Sequence, residues 1–582
     1  MNRLLFKRIK SLFIIFLVAF AFLVGRITHL QIIQGQKLAA MGEKIHSQFI
    51  QGEELPRGDI VDRNLVSLLD TGEREAAVIF PAIFEKEDAA KLSQILQLPI
   101  KKITDKLETA KNYYGNNPII IKTNLVTSEI ENLKKANLQG VYLIPIQSRY
   151  GPNSLAVHLV GHMGTIDQNT WEKLIPKNSE LSGSKPYQRD DLIGVKGIEA
   201  IYEEYLRSTK ASHYLQATVD ALGRPLLGLG FSKIVNQSEI NKRNKVVLTI
   251  DARIQNIVEN VMDKHIAKGA IVVLDNSSGE IVAIASRPKF DQNQIDKYLN
   301  SNLRTEFLNR AFLHYFPGSV FKLLIAAAAL EEGVTDLTEV FECTGEYQFE
   351  SGLVIPCWYE EGHGKLTFAE ALAHSCNPVF IEVGQRLGAE KIIEYAHRFK
   401  LDEDDLIGYP LENYSSINID EQSPAAIGNA ALGQKGIKLS PLQVTKMYAT
   451  VANDGVYKIP RIVNRIETNQ HRLIKAFLPG QDIQVISSKT AKELKKMLVM
   501  ATTSGTATKA WIEKCGSAGK TSTAQTGEQS VAGKEKMNVW FAGFAPLDHP
   551  KYTVTIMIED GTSGGRDAAP VFKEIMVQIL DL

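Results

Sequence analysis

"VFKLLIAAAAL", Val320 to Leu330, is apolar at every position but Lys322. A helix with no polar face is stable only inside a domain, so this stretch demands a core thick enough to surround it. The core must also take in Lys322. Burying an unpaired ammonium is costly, so such a lysine is either paired or shifted toward its neutral form. Pro317-Gly318 breaks the chain just upstream, and Ser319 opens the helix three positions ahead of Lys322. Positions i and i+3 of a helix share a face, which lets Oγ and Nζ meet. A serine hydroxyl needs a nearby base to act as a nucleophile, and a desolvated neutral lysine can serve. The helix N-terminus also favours negative charge developing on an attacked carbonyl. The S-x-x-K spacing alone is weak. It recurs at Ser182/Lys185, Ser286/Lys289 and Ser517/Lys520, none of which has this apolar setting.

The sequence on either side reads as a sheet. "KVVLTID" (Lys245–Asp251) is an apolar strand, and "GAIVVLDNSSGEIVAIAS" holds two apolar runs around an Asn-Ser-Ser-Gly turn, a hairpin signal. Near the end, "KTSTAQTG", "MNVWFAGFAP" and "YTVTIMIED" are three more strand-like runs, followed by a helical close, "APVFKEIMVQIL". Two strands at the start, three near the end and helices between predict an α+β domain over residues 245–582. Its expected centre is a five-stranded antiparallel sheet packed by helices.

The N-terminus predicts a membrane anchor. Arg3, Lys7, Arg8 and Lys10 precede "SLFIIFLVAFAFLVG", and no small-x-small cleavage pattern follows. We read residues 1–10 as a basic cytoplasmic tail and 11–31 as one retained transmembrane helix, with everything beyond it outside. Residues 32–240 are mixed in character. They contain "LPRGDIVDRN" (turn then short strand), "VHLVGHMG" and "GVKGIEAIYEEYLR" (one helix after a glycine loop), before a polar linker, "QSEINKRNK". His158 and His162 lie four apart, but Gly161 and Gly164 argue against a helix and no Glu adjoins His158, so both read as structural histidines. Lys+Arg and Asp+Glu balance at 66 each, which gives no reason to expect nucleic acid as a partner. The four cysteines, Cys343, Cys357, Cys376 and Cys515, include no C-x-x-C pair and so no zinc or redox signature.

Two further motifs follow the serine–lysine pair. Ser375-Cys376-Asn377 falls in a break between helix-like stretches, and Lys520-Thr521-Ser522-Thr523 lies on a strand. "AGKTS" imitates the end of a phosphate-binding loop. That motif needs glycine where Lys514 stands, so the nucleotide reading fails.

S-x-x-K, S-x-N and a K-T-G-like strand, in that order, resemble the active-site set of the penicillin-recognising serine enzymes. The likeness extends upstream. "PRGDIVDRN", "RYGPNSLAVHLVGHMG" and "GIEAIYEEYLR" resemble the pedestal region of class B penicillin-binding proteins, and "NRAFLHYFPGSVFK" their approach to the nucleophile. The resemblance covers essentially the whole chain after the anchor. It is nearest the Gram-positive monofunctional transpeptidases, including those of sporulation. It implies an elongated mixed pedestal (dimerisation) domain at 32–240 and a transpeptidase domain at 245–582. Ser319 would attack the penultimate D-alanine of a peptidoglycan stem peptide ending in D-Ala-D-Ala, with Lys322 as base. Ser375, in contact with Lys520, would relay a proton to the leaving amine, and Asn377 would hold the substrate amide. The N–H groups of Ser319 and Thr523 would form the oxyanion hole. Thr521 and Thr523, beside Ser522, would bind the substrate carboxylate. β-Lactams would acylate the same serine. No cofactor and no metal is implied, and chain polymerisation would fall to a separate glycosyltransferase. A D,D-carboxypeptidase, a β-lactamase, a β-lactam sensor or a catalytically weak scaffold are the competing readings.

Two departures stand out: Lys-Thr-Ser in place of Lys-Thr-Gly, which leaves the cleft geometry open, and Leu65 where the pedestal motif usually has glycine. Cys343 and Cys357 flank a polar stretch just after the nucleophile helix, and on the outer side of the membrane they are candidates for a disulfide, with free thiols as the alternative.

Overall fold

The computed structural model describes residues 2–582 apart from 39–46, 54, 114–116, 181–185, 190, 209, 221–224, 227–230, 300–304, 404, 412–416 and 530–532. Asn2–Thr28 is one α-helix that runs on through a π-turn at His29–Ile33. Arg3–Ile33 reaches a mean hydropathy of 2.3 and none of that window is buried. It is a single N-terminal membrane-spanning helix, about twenty residues of which cross a ~30 Å hydrocarbon core.

The chain forms two compact units: Met1–Pro56 with Thr71–Arg149 and Lys210–Ile240, and Arg57–Asp70 with Tyr150–Thr209 and Asn241–Leu582. In the first, Gly72–Ile79 pairs antiparallel with both Ile119–Lys122 and Val141–Ser148. Its side chains alternate as strand geometry requires. Ala77 and Ile79 join Leu92, Leu96, Ile103 and Leu133 of the covering helices, whereas Ala76 and Val78 join Ile50, Leu215 and Ala217 of a second three-stranded sheet.

The second unit is built on five antiparallel strands, as expected: β1 (Gly269–Asp275), β2 (Glu280–Arg287), β3 (Ala518–Gln529), β4 (Glu535–Ala545) and β5 (Tyr552–Ile558), in the order β2-β1-β5-β4-β3. Both faces are covered, and β4 shows why. Val539, Phe541 and Ala545 pack on the helices Ala252–His265 and Ala569–Leu580, while Trp540, Ala542 and Phe544 belong to the core around Lys322–Glu331, Asn377–Arg398 and Pro441–Ala452. Edge strand β3 carries the Lys-Thr-Ser motif. The strand at Asn244–Leu248 is not part of this sheet. It lies in a separate four-stranded one, antiparallel to Val463–Thr468 and parallel to Asp59–Val61.

Three of the upstream motifs meet in this same unit. The buried guanidinium of Arg57 reaches Glu199 at 2.7 Å and Glu203 at 2.6 Å, and Tyr150 donates to Glu199 at 2.8 Å. Residues 197–206, expected as one helix, are two short ones, Gly197–Ile201 and Glu203–Leu206, interrupted at Tyr202. Arg57 also donates to the Glu199 carbonyl at 3.0 Å, so that acceptor is engaged at the break. His158 lies in a one-turn helix, Val157–Val160, which the glycines had argued against. Its Nε2 is paired with the Glu306 carbonyl and His162 Nδ1 with that of Met163, and both rings pack edge-on against Phe290. Burial pushes His158 down to about 4, which keeps it neutral.

Candidate active site

The chain turns at Gly318–Val320 in a 3₁₀ segment, and the α-helix proper begins at Lys322 and runs to Glu331. Ser319 is half-buried on that turn; Lys322 is fully buried, as are the seven helix residues after it. Gly318 has φ +59°, a left-handed conformation that favours glycine, and its N–H donates to the Gly433 carbonyl at 2.8 Å.

The second motif sits between the helices Phe368–Ala373 and Asn377–Arg398. Ser375 is itself left-handed at φ +60°. That turn lets both its carbonyl and its hydroxyl face Lys322. Nζ donates to Ser375 O at 2.9 Å, to Asn377 Oδ1 at 2.8 Å and, more loosely, to Ser375 Oγ at 3.4 Å. Ser375 Oγ in turn donates to Ser319 Oγ at 2.9 Å. Helical stacking suggested a direct meeting of Ser319 and Lys322. The hydrogen bonds instead join them through Ser375, whose hydroxyl accepts from Lys322 Nζ and donates to Ser319 Oγ.

The oxygens that accept from Lys322 are all neutral. Burial therefore pushes its pKa down to about 8, partly offset by the thiols of Cys376 and Cys357. Lys520, on β3, is also fully buried. Burial holds it well below the usual lysine range, and the neighbouring Lys322 lowers it further. Its Nζ donates to the Thr521 carbonyl at 3.0 Å and to Thr506 Oγ1 at 3.4 Å, and not to Ser375 as the sequence suggested. Thr506 Oγ1 also lies 2.8 Å from Thr521 Oγ1. Thr523 is exposed, and its Oγ1 accepts from Gly564 N–H at 3.3 Å.

Ser522 occupies the opposite face of β3. It is 3% exposed, and its hydroxyl has no hydrogen-bond partner among the described residues. The Oγ lies against Gly318, where any Cβ on that glycine would collide with it. The extra atoms of Lys-Thr-Ser thus lie in the seam between β3 and the Ser319 turn.

Convergence of these three motifs beside the edge strand of an antiparallel sheet is what sets the penicillin-recognising serine enzymes apart from other α+β folds. Sequence comparison agrees. Residues 269–577, more than half of the chain, match the penicillin binding protein transpeptidase domain, and residues 53–238 match the penicillin-binding protein dimerisation domain. The chain belongs to the penicillin-binding protein transpeptidase family, with a dimerisation region ahead of the transpeptidase domain. It is 29% identical to stage V sporulation protein D of Bacillus subtilis, over 98% of this chain and 85% of that one. It is 27% identical to a probable peptidoglycan D,D-transpeptidase, PenA, of Neisseria gonorrhoeae, over 98% and 91%. Among solved structures it resembles penicillin-binding protein A of M. tuberculosis in a ceftriaxone acyl-enzyme complex, with TM-score 0.53 and 28% identity over 58% of this chain and 80% of that one.

Two features of the site lie outside the three motifs. Thr506 bridges Lys520 and Thr521 from a loop with no motif of its own. His363 joins Cys343, Cys357 and Cys376 in one cluster, with all four ligand-type atoms within 4.8 Å of one another. Counting histidine together with cysteine in this region would have flagged it.

Proposed function

We propose that the chain is a class B, serine-type peptidoglycan D,D-transpeptidase that works through an acyl-enzyme on Ser319. The observation that carries this reading is the heavy-atom chain Lys322 Nζ–Ser375 Oγ–Ser319 Oγ, anchored on a lysine buried among neutral acceptors. Such a lysine is readily neutral and able to take a proton. Hydroxyl protons rotate freely, so the same oxygens can pass a proton from Ser319 toward Lys322 and later out to the leaving amine. The attacked carbonyl is that of the penultimate D-alanine of a stem peptide. Its oxygen is received by the N–H groups of Ser319 and Thr523, a donor pair of a kind worth about 3 kcal/mol each. Thr521 and Thr523 take the terminal carboxylate, and Asn377 holds the amide through the second Nδ2 proton, since Oδ1 accepts from Lys322 and the other Nδ2 proton goes to the Pro356 carbonyl. The terminal D-alanine leaves, and an amine from a neighbouring stem peptide resolves the ester to give the cross-link.

A β-lactam imitates the D-Ala-D-Ala end and acylates the same oxygen. The mycobacterial relative, solved as a ceftriaxone acyl-enzyme, supports this by analogy. The basic residues at the start of the N-terminal helix support a cytoplasmic N-terminus, with the chain beyond the membrane segment outside. Residues 53–238 match a dimerisation region, and in this reading a separate glycosyltransferase supplies the glycan strands.

The test is mass spectrometry of the full chain in detergent after incubation with a penicillin. The expected result is the mass of one drug on a peptide containing Ser319, with none on Ser319→Ala. Labelling that survives the substitution refutes the assignment. Release of D-alanine with cross-linked dimers separates transpeptidation from simple carboxypeptidation.

A further inference from the structure

Cys343 ends the strand Val340–Cys343, Cys357 follows the strand Val354–Pro356, His363 lies just before the strand Gly364–Thr367, and Cys376 is the residue before the helix Asn377–Arg398. Four separate pieces of chain thus bring three sulfurs and one imidazole to a common point. All three cysteines are at most 3% exposed and none is bridged. Cys357 Sγ stands 3.6 Å from His363 Nδ1. Around a tetrahedral zinc ion, bond lengths of about 2.3 Å to sulfur and 2.0–2.1 Å to nitrogen put S···N edges near 3.6 Å and S···S edges near 3.8 Å. The Cys357–His363 edge already has that length, and every other edge is within 4.8 Å.

We propose that Cys343, Cys357, His363 and Cys376 form a closed, four-coordinate site for a structural zinc ion. The donor chemistry selects the metal. Three soft thiolates and one imidazole in a compact tetrahedron suit Zn(II), whereas calcium and magnesium take hard oxygen donors. Binding releases the thiol protons to solvent and leaves the imidazole neutral. A disulfide would use two of the sulfurs and leave the third sulfur and the imidazole crowded against it for no purpose.

The local fold shows what such an ion would hold. Residues 344–363 make one short hairpin, Glu346–Gln348 with Val354–Pro356, and leave Leu353, Val354 and Trp358 exposed. So small an excursion has little core of its own, which is where metals commonly serve as staples. It is also tied to the Ser375 turn: Trp358 Nε1 donates to the His374 carbonyl at 2.9 Å, and Asn377 Nδ2 to the Pro356 carbonyl at 3.2 Å. Cys376 stands between Ser375 and Asn377, both of which accept hydrogen bonds from Lys322. The ion therefore acts as a positioning element. It pins the excursion to the turn that aims Ser375.

The experiment is elemental analysis of the full chain, purified in detergent without chelators or affinity metals. The expected content is about one zinc per chain, falling below about a tenth in Cys343→Ser and His363→Ala. Because a variant can fail to fold, the unmodified chain is also stripped with a thiol reagent that is then reversed, and titrated with Co(II). A tetrahedral thiolate–cobalt spectrum that saturates at one equivalent and is displaced by Zn(II) supports the site. Metal-free protein whose thiols all alkylate freely, or a disulfide between any two of the three cysteines in freshly isolated chain, overturns it. Metal content is read without substrate, so this outcome is independent of the acyl-transfer reading. A second measurement tests the positioning role: penicillin acylation of Ser319 slows at least tenfold on zinc removal and recovers on reloading.

Discussion

The hydroxyl of Ser522 is wedged against Gly318, one residue before Ser319, the proposed nucleophile. The contact joins the last motif of the site to the first, across the seam between β3 and the 3₁₀ turn. It also strands a buried hydroxyl with no partner among the described residues. Ser522→Ala should therefore stabilise the protein by about 1 kcal/mol, the cost of one unsatisfied buried polar group. The penicillin acylation rate should stay within about threefold, since the hydroxyl faces the seam. Urea unfolding and acylation kinetics on both forms check this. A large gain in acylation would mean that the side chain does intrude on the cleft.

Gly318→Ala meets two obstacles at once, a left-handed φ of +59° and the neighbours Ser522 Oγ and Ala524 Cβ. The Ser319 turn must shift to accept it. We expect acylation to fall on the order of a hundredfold, because about 1 Å of misplacement can cost that much. Combining it with Ser522→Gly removes one obstacle and should return part of the loss. Strict additivity of the two changes would show that the residues are not coupled.

With Lys322 as the proposed base, its titration should set the pH profile. Its pKa is lowered to about 8 by burial, so the neutral base is the minor form below that pH and the major form above it. Acylation by a penicillin should climb close to tenfold per pH unit on the acid side and level off above about 8. Stopped-flow measurement of the second-order rate gives the curve. A rate that is flat from about pH 6 to 8 would exclude Lys322 as the base. Lys322→Arg, which cannot deprotonate, should be inactive at every pH.

Away from the chemistry, Arg57 neutralises Glu199 and Glu203, and the Glu199 side chain is wholly inaccessible. Arg57→Ala leaves that carboxylate buried without its cation, at a cost of about 3–5 kcal/mol. Glu199→Gln in the same chain should recover part of the loss. Protease cleavage within residues 150–209 under native conditions reports on the weakened region, and unchanged resistance of Arg57→Ala would contradict the account.

Much of this was legible in the chain itself. Four of the five strands stand out as apolar runs between turn residues, whereas β3 is largely polar and lacks that signal. The uniformly apolar helix could lie nowhere but inside, and it took Lys322 with it. Contacts between residues distant in sequence were not legible. Nothing local to Arg57 indicates that it neutralises Glu199, and that pairing accompanies the interruption of an otherwise helical run at Tyr202. Ser522 read as a cleft residue because a strand has two faces and the sequence does not say which one meets Gly318. The Cys–His cluster was missed for a related reason: its ligands are spread over two hairpins and a helix start, so no short spacing announces it.

Lys322 and Lys520 are both fully buried and feel each other's charge, and their hydrogen bonds run to hydroxyl, amide and backbone oxygens. An anionic ligand entering beside them supplies the counter-charge that those oxygens do not. It raises the proton affinity of both amines. Binding is then accompanied by proton uptake, so affinity for a carboxylate falls as the medium becomes alkaline, even while the chemical step quickens. Calorimetry of a non-reactive carboxylate ligand in two buffers of different ionisation heat would show the uptake directly. Inhibitors without an acidic group would forgo this proton-linked attraction, and cationic ones would be driven off by it.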